Sequence, residues 1–239
     1  MTTKVCILQL YPRDMNIYGD WGNTLVLRQR LTWHGYEPQI IDYNPGDDFP
    51  DGIDLVVGGG GQDSGQGVVA QDLLRIGPRL HELADADVPM LVVCGLYQLF
   101  GHYFDTVDGT RLTGIGLLDV HTVGGTTRLI GNITTRHQDF GDIFGYENHS
   151  GKTYLGTGGS ALGSVVQGAG NNGDDGTEGA RYRNVLGTYL HGSVLPKNPR
   201  IADFLIERAV RMRQPDFVPA SIDDRYAEQA RRVAATRPR

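Results

Sequence analysis

The chain has 239 residues and a formal net charge of −6, from 22 Lys and Arg against 28 Asp and Glu. That length is ample for one large α/β domain with a buried core, and the mild acidity argues against a dedicated nucleic-acid binder, which carries a basic face. Charged residues at 21% and hydrophobic residues at 39% exclude a disordered chain; no apolar run reaches the ~20 residues of a membrane span, and the start MTTKVCILQLYPRD lacks the layout of a secretory signal, so a cytoplasmic location is expected.

Val5 to Tyr11 is a short, nearly continuous apolar run, as a buried parallel strand would be. Asn23 is placed to cap a helix through about His34, which Gly35 stops. Gln39 to Tyr43 and Asp54 to Val57 read as the next strands, the latter running straight into Gly58-Gly59-Gly60-Gly61. A helix follows from about Val68 to Ala84, where Gly77-Pro78 is expected to break or kink it. Met90 to Val93 is another apolar strand, ending at Cys94. This alternation of strand and helix predicts a doubly wound, mostly parallel sheet flanked by helices.

After Phe104 the pattern changes. Short β-prone pieces, Thr127 to Ile133, Ile143 to Glu147 and Ala161 to Gln167, lie between glycine-rich turns and predict an antiparallel extension around residues 120–185. Residues 168–179, GAGNNGDDGTEG, read as a surface loop. Val185 to Leu190 is a final strand, ending at His191. Pro199 to Arg213 is an amphipathic helix, and Ser221 is placed to cap a last one carrying Ile222, Tyr226, Ala230 and Val233 at helical spacing. There is no internal repeat or convincing linker, so residues 1–239 are expected to form a single domain with a helical tail from about 220.

Three features carry chemistry. Cys94 sits between an apolar strand and a helix starting near Gly95, the place of a nucleophile elbow. A helix N-terminus favours the reactive thiolate, and Gly95 is placed to offer its N–H to a developing oxyanion. The competing reading is a buried structural cysteine, which is the better one for Cys6 inside its strand. His191, in GTYLHG, also ends an apolar strand before a glycine, where it can reach the mouth of a parallel sheet and exchange a proton with Cys94. The glycines at 58–61 can expose N–H groups as an anion-binding nest; no Lys-Ser/Thr follows, so this is no nucleotide loop.

Two patterns lead nowhere. Gly168-Ala-Gly170-Asn-Asn-Gly173 matches GxGxxG but opens no helix, so dinucleotide binding is not supported. His102, His121, His137 and His149 lack the close spacing of a metal site, and the two cysteines do not supply one.

The strand–Cys–Gly elbow, the later GTYLHG and the glycine loop before the elbow together resemble class I glutamine amidotransferases, in the branch of the cobyric-acid-synthase type. Within it, GGGGQD, CGLYQLFG, GYENHSG and GTYLHGSVLPKNP are similar to glutaminase subunits that pass ammonia to a Mur-ligase-like synthetase amidating the D-glutamate of lipid II. The resemblance covers about residues 4 to 213 and implies glutamine hydrolysis. Cys94 would be the nucleophile, His191 the general base and acid, and Gly95 and Gly60 the oxyanion donors. Arg128, in TTRL, would hold the substrate α-carboxylate. His149, in ENH, matches the family pattern without a role. The resemblance also implies a heterodimer, with ATP on the partner and no cofactor in this chain. Relatives usually carry glycines two before and two after the cysteine, where this chain has Val92 and Leu96, and Glu two after the histidine, where it has Ser193. The expected machinery is therefore a Cys–His dyad, working unaided or completed by a carboxylate from the partner. The alternatives are amidation in a corrinoid or other pathway, a non-catalytic module of the same fold, and a hydrolase of the α/β-hydrolase kind.

Overall fold

The computed structural model describes residues 3–61 and 63–238; Gln62, in the glycine-rich segment, lies outside them. The main sheet is built from β1 (Lys4–Leu10), β2 (Glu37–Tyr43), β3 (Leu55–Gly58), β4 (Met90–Val93), β11 (Ala180–Tyr182) and β12 (Val185–Thr188). Its order is β11-β12-β4-β3-β1-β2, parallel throughout except for the edge strand β11. Every residue of β3, β4 and β12 is buried, which is why these strands are unbroken apolar runs rather than alternating ones. Helices α1 (Trp21–Trp33), α2 (Asp63–Asp85), α3 (Gly95–Phe100), α4 (Val194–Lys197), α5 (Pro199–Arg211) and α6 (Arg225–Ala235) surround it.

The extension is a second sheet of β5 (Tyr103–Asp105), β6 (Arg111–Thr113), β7 (Val120–His137), β8 (Gly141–Leu155), β9 (Gly163–Gln167) and β10 (Thr177–Glu178). The β-prone pieces at 127–133 and 143–147 are parts of the long antiparallel pair β7 and β8, whose register shifts between Gly124 and Leu129. Among the described residues no helix is long and apolar enough to cross a membrane.

Three expectations need correction. Helix α2 is not broken at Gly77-Pro78 but continues through them; the carbonyl that Pro78 leaves unbonded belongs to Leu74, an exposed position where water can satisfy it. Helix α1 starts at Trp21 rather than being capped by Asn23. Asn23 is wholly buried and its Oδ1 accepts the N–H of Leu195, tying α1 to α4. Residues 168–179 are not a plain surface loop either. Asn171, Asn172 and Glu178 are buried, and the Glu147 carboxylate accepts the N–H groups of Ala169 and Gly170.

Glu178 anchors the end of β12 just before His191, because its Oε1 accepts both the Thr188 hydroxyl and the Tyr189 N–H. Burial, with the nearby Glu147 carboxylate adding to it, pushes the Glu178 carboxyl up to about 7 against those hydrogen bonds. The folded chain thus holds this proton more tightly than the unfolded one, so its contribution to stability falls as pH rises from about 4.5 to about 7. Glu178→Gln should remove that fall. Relative to wild type, the variant should gain up to about 3 kcal/mol between pH 5 and pH 8 in urea unfolding; parallel pH profiles for the two proteins would contradict the assignment.

Candidate active site

The carboxyl ends of the parallel strands converge on one edge of the main sheet, where α/β proteins bind ligands. The segments after β1, β3, β4 and β12 each deliver one part of the site. Cys94 follows β4 at φ 52° and ψ −106°, immediately before α3. A positive φ is uncommon for a residue with a side chain and marks a backbone held by its surroundings. The hold is visible: the Cys94 N–H donates to Thr188 O at 2.9 Å, and the Cys94 carbonyl accepts the Gln98 N–H at 2.9 Å. Val92 and Leu96, where relatives have glycine, are both fully buried and fill the space around the elbow.

His191 is brought to the same point after β12. Its backbone forms an isolated bridge with Tyr146, the His191 N–H donating to Tyr146 O at 2.8 Å. The imidazole is buried and lies edge-on to the Tyr18 ring, with centroids 4.6 Å apart. Its Nδ1 is 3.4 Å from Oδ1 and 3.3 Å from Oδ2 of Asp20. Nε2 has no hydrogen-bond partner among the described residues, and the Cys94 thiol acts on the ring by charge. Burial disfavours the imidazolium, but Cys94 and Asp20 outweigh it and push His191 up to about 10.

Gly60 sits between the two. A Cβ there would fall 2.9 Å from both Cys94 Cβ and His191 Cε1, so only glycine leaves both side chains in place. Its expected part as an oxyanion donor is corrected: the Gly60 N–H donates to Asp20 Oδ2 at 2.9 Å and is already engaged. Gly95 remains suited to that role, because the first residue of a helix has no intrahelical acceptor for its N–H.

A cavity of about 310 Å³ opens over Cys94, lined among others by Tyr18, Gly61, Gln98, Arg128 and His149. Arg128 lies within the register shift between β7 and β8, where four residues, 125–128, face a single one, Ser150. Such an irregularity re-aims side chains. The Arg128 Nε donates to Asn148 Oδ1 at 2.5 Å and Nη2 reaches the Tyr18 hydroxyl at 3.4 Å. Among the described residues it has no carboxylate partner, so its charge is available to an anionic ligand. His149 is buried, and burial pushes it down to about 4, a neutral ring at physiological pH. It stacks on Tyr189 with centroids 3.5 Å apart, and its Nδ1 faces Gly151 O at 2.7 Å. Cys6 stays inside β1, its thiol pushed up by burial and far in role from this edge.

The residues Cys94, His191, Gly60 and Gly95 therefore meet, and Arg128 overlooks them across the cavity. Sequence reasoning passed over Asp20, Tyr18 and Gln98. The signal for Asp20 and Tyr18 was their place in the loop after β1, the same sheet edge that carries Cys94 and His191.

The family model of the CobB/CobQ-like glutamine amidotransferase domain matches residues 6–199. The chain is 40% identical to the GatD subunit of lipid II isoglutaminyl synthase (glutamine-hydrolyzing) from Staphylococcus aureus, across 98% of this chain and 96% of that one. It is 36% identical to the subunit of the same name from Streptococcus pneumoniae, across 87% and 81%. Among solved structures it is similar in fold to a glutamine amidotransferase at TM-score 0.60 and 14% identity, covering 84% of this chain and 98% of that one. PurLQS from Thermotoga maritima is similar at TM-score 0.58 and 16% identity, over 88% and 98%.

Proposed function

The chain belongs to the CobB/CobQ-like glutamine amidotransferase family, and on that premise we propose that it hydrolyses glutamine at Cys94 and supplies the ammonia for amidation of lipid II. The observation that carries the reading is the pairing of His191 with Cys94, which sits at a strained strand–helix junction and lines a cavity that Arg128 also lines. Relatives named probable cobyric acid synthase also align, for example at 26% identity over 78% of this chain and 38% of the Methanoculleus marisnigri protein. Their lower identity and partial coverage favour lipid II over a corrinoid acceptor.

The chemistry follows from the groups present. Arg128 binds the α-carboxylate of glutamine, a charge-assisted contact. The Cys94 thiolate attacks the side-chain carboxamide carbon, and the Gly95 N–H stabilises the resulting oxyanion. His191, as imidazolium, gives its proton to the leaving amine, so ammonia departs and a γ-glutamyl thioester remains. His191 then takes a proton from water, the hydroxide attacks the thioester, and the returned proton restores the Cys94–His191 pair as glutamate leaves. Nothing in this half-reaction activates a carboxylate for amidation. That step falls to a Mur-ligase-like synthetase partner that holds ATP, and this chain needs no cofactor of its own.

Cys94→Ala and Cys94→Ser should abolish ammonia release from glutamine with the circular dichroism spectrum unchanged, while Cys6→Ala stays at the wild-type rate. With the synthetase partner present, ammonium chloride should restore lipid II amidation to the Cys94→Ala complex. Sustained glutamine hydrolysis by that variant would overturn the assignment.

Arg128→Ala tests the substrate contact. A hydrogen bond to a charged group contributes about 1.5–3 kcal/mol, so kcat/KM for glutamine should fall at least about tenfold, mainly through KM. Unchanged glutamine kinetics would make Arg128 a surface residue only.

A further inference from the structure

We infer that Asp20 is the positioning residue of this site, a carboxylate from the loop after β1 that takes the place relatives give to an acid two residues beyond the histidine; the inference rests on the proposed Cys94–His191 glutaminase. Asp20 stands where α1 would be capped, yet its side chain makes no capping bond. Instead the carboxylate is 3% exposed and spans two partners, His191 Nδ1 at 3.3 Å and the Gly60 N–H at 2.9 Å. An aspartate that forgoes its own helix end to meet a buried imidazole is held there by other contacts.

Those contacts involve Ser193, the residue that replaces the usual acid. Its hydroxyl donates to Gly19 O at 2.7 Å, clasping the turn after His191 to the residue before Asp20. Gly22 has no side chain at this crossing, and a Cβ there would lie 2.2 Å from Ser193 Oγ. Ser193 thus does not replace the acid chemically; it secures the loop that brings one from elsewhere.

With Asp20 on Nδ1, that nitrogen carries the ring hydrogen in the neutral imidazole and Nε2 is left as the lone pair that faces Cys94. The same carboxylate stabilises the imidazolium once the thiol proton has moved. Because its other contact is the Gly60 N–H, Asp20 also couples the base to the glycine loop packed against Cys94. Among the described residues, the charged or titratable groups around His191 are Asp20 from this loop, Cys94 from the elbow, Tyr18 against the ring and His149 from β8, and of these Asp20 alone is a carboxylate.

The test compares wild type, Asp20→Asn and Asp20→Glu, each alone and with the synthetase partner, by glutaminase kinetics and by nitrogen-15 NMR titration of the histidine side chains. Asp20→Asn should lower kcat at least about tenfold with KM within about twofold, since the residue does not line the cavity. His191 should titrate at least about one pH unit lower in Asp20→Asn than in wild type. Asp20→Glu, which keeps the charge, should recover part of kcat and most of the midpoint. An unmoved His191 midpoint, an unchanged kcat, or full recovery of Asp20→Asn on adding the partner would overturn the inference; the last outcome would place the working carboxylate on the partner. If Asp20→Asn does not fold, Asp20→Glu still decides, because a longer carboxylate that leaves both kcat and the His191 midpoint at wild-type values removes the case for positioning. The titration midpoint is independent of turnover, so failure of the glutaminase reading, seen as activity retained by Cys94→Ala, is distinguishable from failure here.

Discussion

Cys94 is held in a conformation that a residue with a side chain adopts only under constraint, and the rest of the site is organised by that constraint. A backbone at φ 52° costs of order 1–3 kcal/mol and persists only where the surroundings over-determine it. Here β4 is locked between β3 and β12, and the Cys94 N–H is fastened to Thr188 on the neighbouring strand. The bond to Thr188 puts the nucleophile and the strand that delivers His191 in one rigid unit. Gly60 completes it from the third strand, because any larger residue would push apart Cys94 and His191. Three adjacent parallel strands therefore define the reacting geometry, and the long hairpin of the second sheet adds the backbone bridge from Tyr146 that holds His191.

That hairpin supplies the ligand side of the cavity. The four residues of β7 that lack one-to-one partners on β8 carry Arg128 out of the regular pleat and toward Tyr18 and Asn148. Beneath it, His149 lies flat on Tyr189, whose hydroxyl meets Gln98 and Thr153. Burial keeps His149 neutral, whereas His191, equally buried, is pushed toward its charged form by Cys94 and Asp20. Two histidines in one site thus hold different charges for a physical reason: one faces a thiol and a carboxylate, the other a ring and a carbonyl.

Most of the fold was legible in the sequence because parallel strands buried on both faces leave unbroken apolar runs, and the residues that end those runs lie at the functional edge. Cys94 and His191 were found by that reasoning, and the structure brings them together. Asp20 was passed over because the helix was expected to begin at Asn23, which left Asp20 an ordinary acid in a loop, and only the tertiary arrangement brings it to His191. The 168–179 segment misled for a related reason. Its glycines and asparagines look solvated, but buried Glu147 and Asn171 make the hydrogen bonds that water would otherwise supply. Gly60 was correctly placed beside the nucleophile, while its N–H was spoken for by a carboxylate that the sequence pattern did not connect to it.

The central claim is that Cys94 is the nucleophile and that His191 makes it reactive. Treating the chain with a chloroketone analogue of glutamine, followed by digestion and peptide mass mapping, tests both parts directly. The account predicts a single adduct on Cys94, suppressed by excess glutamine, absent from Cys6, and formed far more slowly in His191→Asn. Alkylation of Cys6 in preference to Cys94, or equal labelling of Cys94 with and without His191, would contradict it.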